Sequence, residues 1–386
     1  MSPERANRRP FRRVVRALTP PVFAALALLA AAELVAAVAG MTSWKERTDP
    51  ATGLPPDEAA QVRELQRWVA TPGRAEPVAG TSLWLYRPVT RPGLVIGDHG
   101  LRGRPPGPRT PGELRVAVLG GSSVFGWLVA DDDTVPAALE RELTRRRPDR
   151  VPNVLNLGVE GYRFQQELEL AERLVPELAP DVLVLLHGVN DAIVGSDRGW
   201  VIDSPFGDGA AGPPLVVQFR RPGLAGFVRE VAGHSRLVTV LHEALLARRV
   251  RDATLPRDNL DALTVGATGL LDRLAADAGA WGVPVVVAWQ PTLSKRRDLD
   301  AVARARWLFA EGRRPGLTAF YDAFASRVGE WVPPAAARIR QADLRTALDR
   351  LGERAFLDWV HPTPAGNAAL AVALADIIEA ELPSEG

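Results

Sequence analysis

Four short clusters in this chain hold the residue types that acyl transfer requires. Gly120-Gly121-Ser122-Ser123-Val124-Phe125-Gly126 places hydroxyls in a glycine turn, and Asn156-Leu157-Gly158-Val159-Glu160-Gly161 places backbone N–H groups beside small residues. Gly188-Val189-Asn190-Asp191 carries a side-chain amide, and Asp358-Trp359-Val360-His361-Pro362 sets an imidazole three residues after a carboxylate. A hydroxyl attacks a carbonyl only when a base takes its proton. The base needs a group that fixes its tautomer, and the oxyanion needs donors. Singly each cluster is ordinary. Gly-Gly-Ser-Ser is commonly a tight strand-to-helix loop and lacks the Gly-Lys-Ser/Thr ending of a phosphate-binding loop. Asn190-Asp191 reads equally as a turn or a helix cap. Together they supply a nucleophile, a base, an orienting carboxylate and oxyanion donors.

The elements that must position these clusters can be read from periodicity. Arg115–Leu119, Asn153–Leu157, Asp181–Leu186 and Val283–Trp289 are short apolar runs bounded by turn residues, as buried parallel strands are; Thr318–Tyr321 is a fifth candidate. Helical spacing falls between them over Val135–Arg145 (Thr134 as cap), Phe164–Leu178 and Leu260–Ala280. A last helix starts at Pro364 behind Thr363. Strand and helix alternation implies a parallel sheet covered on both faces, with ligands outside the carboxyl ends of the strands. The first three clusters fall at those ends.

At this point the sequence resembles the SGNH/GDSL hydrolases. Their four blocks stand here in order, over roughly Leu114 to Leu382, and the Gly-x-Asn-Asp and Asp-x-x-His-Pro matches are specific. The first block departs from Gly-Asp-Ser-Leu, since Gly121 stands where Asp is usual; the Gly-Gly-Ser-Ser form looks like a known bacterial subgroup. The resemblance implies a three-layer α/β/α, flavodoxin-like fold and an ester hydrolase working through an acyl-enzyme, with no cofactor and no metal. It further implies that Ser122 is the nucleophile, His361 the base and Asp358 its partner. The Ser122 and Gly161 N–H groups and the Asn190 amide would form the oxyanion hole. Implied substrates are small-molecule or glycan esters, among them acetyl esters of carbohydrates or lipids. The same site could serve an O-acyltransferase acting on cell-surface polysaccharide, and a tethered binding module with a dead site is the third reading.

Around this domain, placed at 114–386, the chain divides by composition. Residues 1–17 carry six Arg and one Glu, a net +5, so the rest carries −4 against the formal total of +1. A mildly acidic body argues against a nucleic-acid partner. The basic block followed by apolar 18–41 reads as a signal anchor. Val22–Gly40 approaches the ~20 residues that a transmembrane helix needs, with the body exported and the positive end retained. Glu33 interrupts the run at a cost of about 2.5–3.5 kcal/mol, and Ala37-Val38-Ala39 would suit cleavage instead. The expected location is thus the cell membrane, single-pass, with the hydrolase domain outside the cytoplasm. Residues 42–113, rich in Pro, Gly and Arg, read as a membrane-proximal segment covering one side of the domain, with strand character only at Ser82–Tyr86 and Gly93–Ile96. Residues 195–259 read as an inserted cap with one helix near Ser235–Arg249. The chain has no cysteine, which excludes disulfides and thiolate chemistry. His99, His187, His234 and His242 lack metal-ligand spacing and read as structural, Asp131-Asp132-Asp133 as a solvated loop, and Trp127 and Trp359 as core or rim packing.

Overall fold

The computed structural model describes residues 8–103, 107–196, 232–293 and 299–382, except for the side chains of 8–21, 26, 313 and 353. Two small antiparallel hairpins come first, β1 (Ala75–Pro77) with β2 (Trp84–Tyr86) and β3 (Val89–Arg91) with β4 (Leu94–Ile96). The strand character expected at Ser82–Tyr86 and Gly93–Ile96 appears in β2 and β4. Five parallel strands form the main sheet: β5 (Glu113–Gly120), β6 (Val151–Gly158), β7 (Val182–His187), β8 (Val285–Trp289) and β9 (Ile339–Asp343).

Their spatial order is β6-β5-β7-β8-β9. That is the flavodoxin order, in which the chain leaves the first strand in one direction and later returns in the other, opening a crevice at the switch point between β5 and β7. Every residue of β5, β7 and β8 is buried, as expected of central strands covered on both faces. Val116 and Val118 face a layer built on the helices Val135–Arg146 and Pro364–Glu381, with Leu139, Leu143, Leu370 and Leu374 inside it. Ala117 and Leu119 face the helices Phe164–Leu178, Arg257–Trp281 and Leu317–Val328, and on this side lie also the N-terminal hairpins. The result is three layers, α/β/α.

One expected strand is corrected. Thr318–Tyr321 lies inside the helix Leu317–Val328. Leu317, Phe320, Tyr321, Phe324 and Val328 recur at three- and four-residue spacing and all are buried, and this stripe outweighs the β preference of a Thr-Ala-Phe-Tyr run. The fifth strand is β9, Ile-Arg-Gln-Ala-Asp, whose partly exposed residues suit a sheet edge.

Residues Arg8–Val38 form one helix. Among the described residues, however, no helix is long and apolar enough to cross a membrane, and the expected span falls partly on side chains outside the described set. Among the described residues the transmembrane helix expected at 18–41 is thus not borne out. Glu33, the interrupting carboxylate, accepts from the N–H groups of Arg236 (3.0 Å) and Leu237 (3.2 Å) and is bonded to the Ser235 hydroxyl. It thus satisfies the free N–H groups that begin the helix Arg236–Arg251. That helix is the one expected within 195–259; residues 197–231 of the cap lie outside the described residues.

Candidate active site

The register of the sheet sets three of the four clusters at one level. Gly120 of β5 pairs with Gly158 of β6 on one side and Leu186 of β7 on the other. Ser122, Gly161 and Asn190 follow within a few residues of these aligned ends, at the switch point. Ser122 opens the short helix Ser122–Phe125 and Asn190 lies in the first turn of Val189–Gly195. The fourth cluster arrives from a loop on the other side, held by a Leu357 N–H to His361 carbonyl bond (2.7 Å) just before the last helix.

His361 Nε2 lies 2.7 Å from Ser122 Oγ, and His361 Nδ1 lies 2.7 Å from Asp358 Oδ2. The other carboxylate oxygen of Asp358 accepts from the backbone N–H groups of Val360 and His361, both at 2.8 Å. Burial works to raise the Asp358 pKa, but the facing imidazole and these N–H groups outweigh it and hold the carboxyl below its usual range. Asp358 is thus an anion at neutral pH, fixed by its own turn. The Trp127 ring lies against the imidazole, centroids 4.3 Å apart and 32° from parallel. Leu128, which follows it, adopts a left-handed backbone, φ +62°, rare for a branched residue and seated where the chain turns Trp127 toward His361. Packing is what the sequence offered for Trp127. Its place on the imidazole was not legible, because the two lie 234 positions apart.

The Asn190 amide donates to the Tyr162 carbonyl (2.8 Å), joining the third cluster to the loop of the second. The same amide lies against Gly121, which stands where the first block usually has Asp. A Cβ at Gly121 would sit 2.4 Å from Asn190 Nδ2, so a side chain there would displace the amide. Gly161 has φ +80°, a conformation that glycine adopts freely and other residues do not. Ser123 is otherwise engaged: its hydroxyl is buried, receives Gln290 Nε2 (3.2 Å) and donates to the Val360 carbonyl (3.4 Å). Asp191, the neighbour of Asn190, accepts from the Phe164 N–H, and burial pushes its pKa up to about 6.

All five residues expected at the site thus lie at one end of the sheet. Sequence reading missed the groups behind them. Arg102, 3% exposed, spends all five N–H donors: on Asp131 and on the carbonyls of Phe125, Gly126, Val129 and Gly93. It ties the segment after Ser122 to β3–β4. Asp131, expected in a solvated loop, is its ion-pair partner at 2.7 Å. One arginine among 47 Lys and Arg residues carries no sequence signal that could have found it. His187 is buried between Phe164 and Trp289 (4.7 and 4.8 Å) with its pKa lowered by burial to about 3, a neutral core ring.

Residues 118–369 match the family model described as GDSL-like lipase/acylhydrolase. The chain belongs to that family, and it is an ester-hydrolysing enzyme. Comparison with curated proteins finds no match. Solved structures that resemble it include a lipase/acylhydrolase from Enterococcus faecalis, at 14% identity over 70% of this chain and 98% of that one, TM-score 0.39. An acetylxylan esterase from Geobacillus stearothermophilus is 15% identical over 70% of this chain and 94% of that one, TM-score 0.35. These likenesses are weak, and the substrates named are those of the proteins named.

Proposed function

We propose that Ser122 attacks the carbonyl of a carboxylic ester to form an acyl-enzyme, which water then releases. His361 takes the Ser122 proton through Nε2 and returns it to the leaving alcohol, while Asp358 holds the Nδ1–H tautomer and stabilises the imidazolium. The N–H groups of Ser122 and Gly161 and the Asn190 amide receive the oxyanion. The observation that carries this reading is the Ser122–His361–Asp358 chain of contacts, both of 2.7 Å. Nothing in the proposed steps draws on a metal or cofactor.

The test is a panel of p-nitrophenyl acyl esters and acetylated glycans, with and without a sugar acceptor, together with labelling by an alkyl phosphonate. Turnover that vanishes in Ser122→Ala, with the phosphonate mass on the Ser122 peptide, is expected. Full turnover in Ser122→Ala would overturn the assignment, and acyl transfer to the sugar in place of water would make the enzyme an O-acyltransferase.

The proposed location is outside the cytoplasmic membrane, supported by the Arg-rich start followed by the apolar run 18–41. A reporter fused after Gly386 should be active only outside. A membrane-bound product of native length favours an anchor, a shortened secreted one favours cleavage near Ala39, and a reporter active in the cytoplasm refutes export.

A further inference from the structure

Residues 42–103 lie outside the family match, yet they hold the loop that carries Gly161. The peptide N–H of Glu160 donates to Tyr86 Oη (2.9 Å), and the hydroxyl of Tyr162 donates to the Trp84 carbonyl (2.6 Å). The Glu160 carboxylate is paired with Arg74, which also bonds the Val69 carbonyl. The Arg74 guanidinium lies over the rings of Trp68 (5.1 Å) and Tyr86 (5.9 Å). From the opposite side the Asn190 amide holds the Tyr162 carbonyl. The residues flanking Gly161 are therefore gripped from both sides, before it at Glu160 and after it at Tyr162. Tyr86, Glu160 and Tyr162 are all buried.

Packing alone does not account for this junction. A buried ion pair kept for stability satisfies its remaining lone pairs and protons, because desolvation otherwise consumes the gain. Here Glu160 Oε1 and Arg74 Nε have no hydrogen-bond partner among the described residues. What the pair does accomplish is geometric. An oxyanion donor works only at about 2.7–3.1 Å from where the oxygen will sit, and a displacement of about 1 Å can cost 10²-fold in rate.

We infer that Tyr86, Arg74 and Glu160 are positioning residues that fix the Gly161 N–H against the oxyanion, so that the segment before the hydrolase domain is a working part of its site. This rests on the reading of Gly161 as an oxyanion donor given above.

The experiment uses the full chain and four variants: Tyr86→Phe, Arg74→Met, Arg74→Lys and, on the same hairpin, Arg87→Ala, which removes only an exposed pair with Glu76. Hydrolysis of the best ester and hydrogen exchange over residues 158–163 are both measured. Tyr86→Phe and Arg74→Met should each lower kcat about tenfold with KM within about twofold, as expected when a transition-state contact is misplaced. Exchange over 158–163 should quicken in both. Arg74→Lys should recover most of the kcat lost in Arg74→Met, and Arg87→Ala should behave as the wild type.

Unchanged kcat in both Tyr86→Phe and Arg74→Met overturns the inference, as does a loss confined to KM. Faster exchange throughout the chain, with no rescue by lysine, overturns it too, because it reduces the junction to packing. If the wild type cleaves no ester on the panel, the esterase-site reading is what fails. Exchange then decides the junction alone: unaltered protection at 158–163 in Tyr86→Phe refutes it.

Discussion

The two ends of β5 both carry buried charges, and they are satisfied to different degrees. At the amino end, the Glu113 carboxylate accepts from Arg115 Nε (2.7 Å), Asn153 Nδ2 (2.8 Å) and the Thr110 N–H (2.7 Å). Arg115 spends its other donors on the carbonyls of Leu178 and Gly107, both at 3.0 Å. At the carboxyl end, past Gly120, Glu160 Oε1 and Arg74 Nε have no hydrogen-bond partner among the described residues, and Ser122 Oγ lies 2.7 Å from His361 Nε2. The amino end is closed upon itself and serves stability. The carboxyl end keeps unsatisfied capacity, as expected of sites in open α/β sheets.

That contrast can be broken experimentally, beginning where the effect is largest. Ser122→Ala should lower turnover about 10³–10⁶-fold with the melting temperature unmoved, since the covalent step is lost and the turn is not. Ser123→Ala should be mild; a reversed ranking of the two serines, read from kcat, would displace Ser122 from the role. Asp358→Asn should cost up to about 10⁴-fold, by releasing the imidazole into the wrong tautomer. Near-normal kcat in that variant would dismiss the pairing. Asn190→Ala should cost about 10²–10³-fold in kcat, as for one preorganised donor. Gly121→Ala should mimic it in part, because the added methyl meets the same amide. A loss confined to KM would make Asn190 a substrate contact.

At the amino end the expectation is the opposite: stability without activity. Burial works to raise the Glu113 pKa, but Arg115, the Thr110 N–H and Asn153 together outweigh it and bring it from 4.5 to about 2. The folded chain therefore binds the proton less readily than the unfolded one. The resulting stabilisation is complete above the unfolded pKa and is lost as pH falls from about 4.5 toward 2. Urea midpoints should show Glu113→Gln less stable than wild type at pH 5 and 7, the gap narrowing by pH 3.5, while kcat at pH 7 stays within about twofold. A gap that does not narrow would mean that shape, not charge, makes the contribution.

Most of the sheet was legible because strong local rules agreed, and the five residues that the family resemblance singled out lie together at one end of it. The runs of β5 and β6 ended in Gly120 and Gly158, and Thr134 and Thr363 capped their helices as read, accepting from the Ala137 and Gly366 N–H groups. The fifth strand failed because β9 is a polar edge strand, while the apolar Thr318–Tyr321 belongs to a helix whose period shows only when read on to Val328. The segment 42–113 was read as a cover. Its grip on the site stayed hidden because Arg74, Tyr86 and Arg102 act through partners far along the chain, and nothing in the local pattern distinguishes them from their exposed neighbours.

The nucleophile turn and its base are 239 residues apart in the chain. His361 enters the site with the final helix, which docks against Val135–Arg146 and whose Asn367 amide is bonded to the Asp133 carbonyl (2.7 Å). At about 5–20 residues per second, synthesis delivers Ser122 on the order of 10–50 s before the imidazole that activates it. Throughout that interval the chain has the proposed nucleophile but not its proposed base. On the mechanism proposed above the nascent enzyme is chemically silent, and the first turnover reports that the last helix has docked.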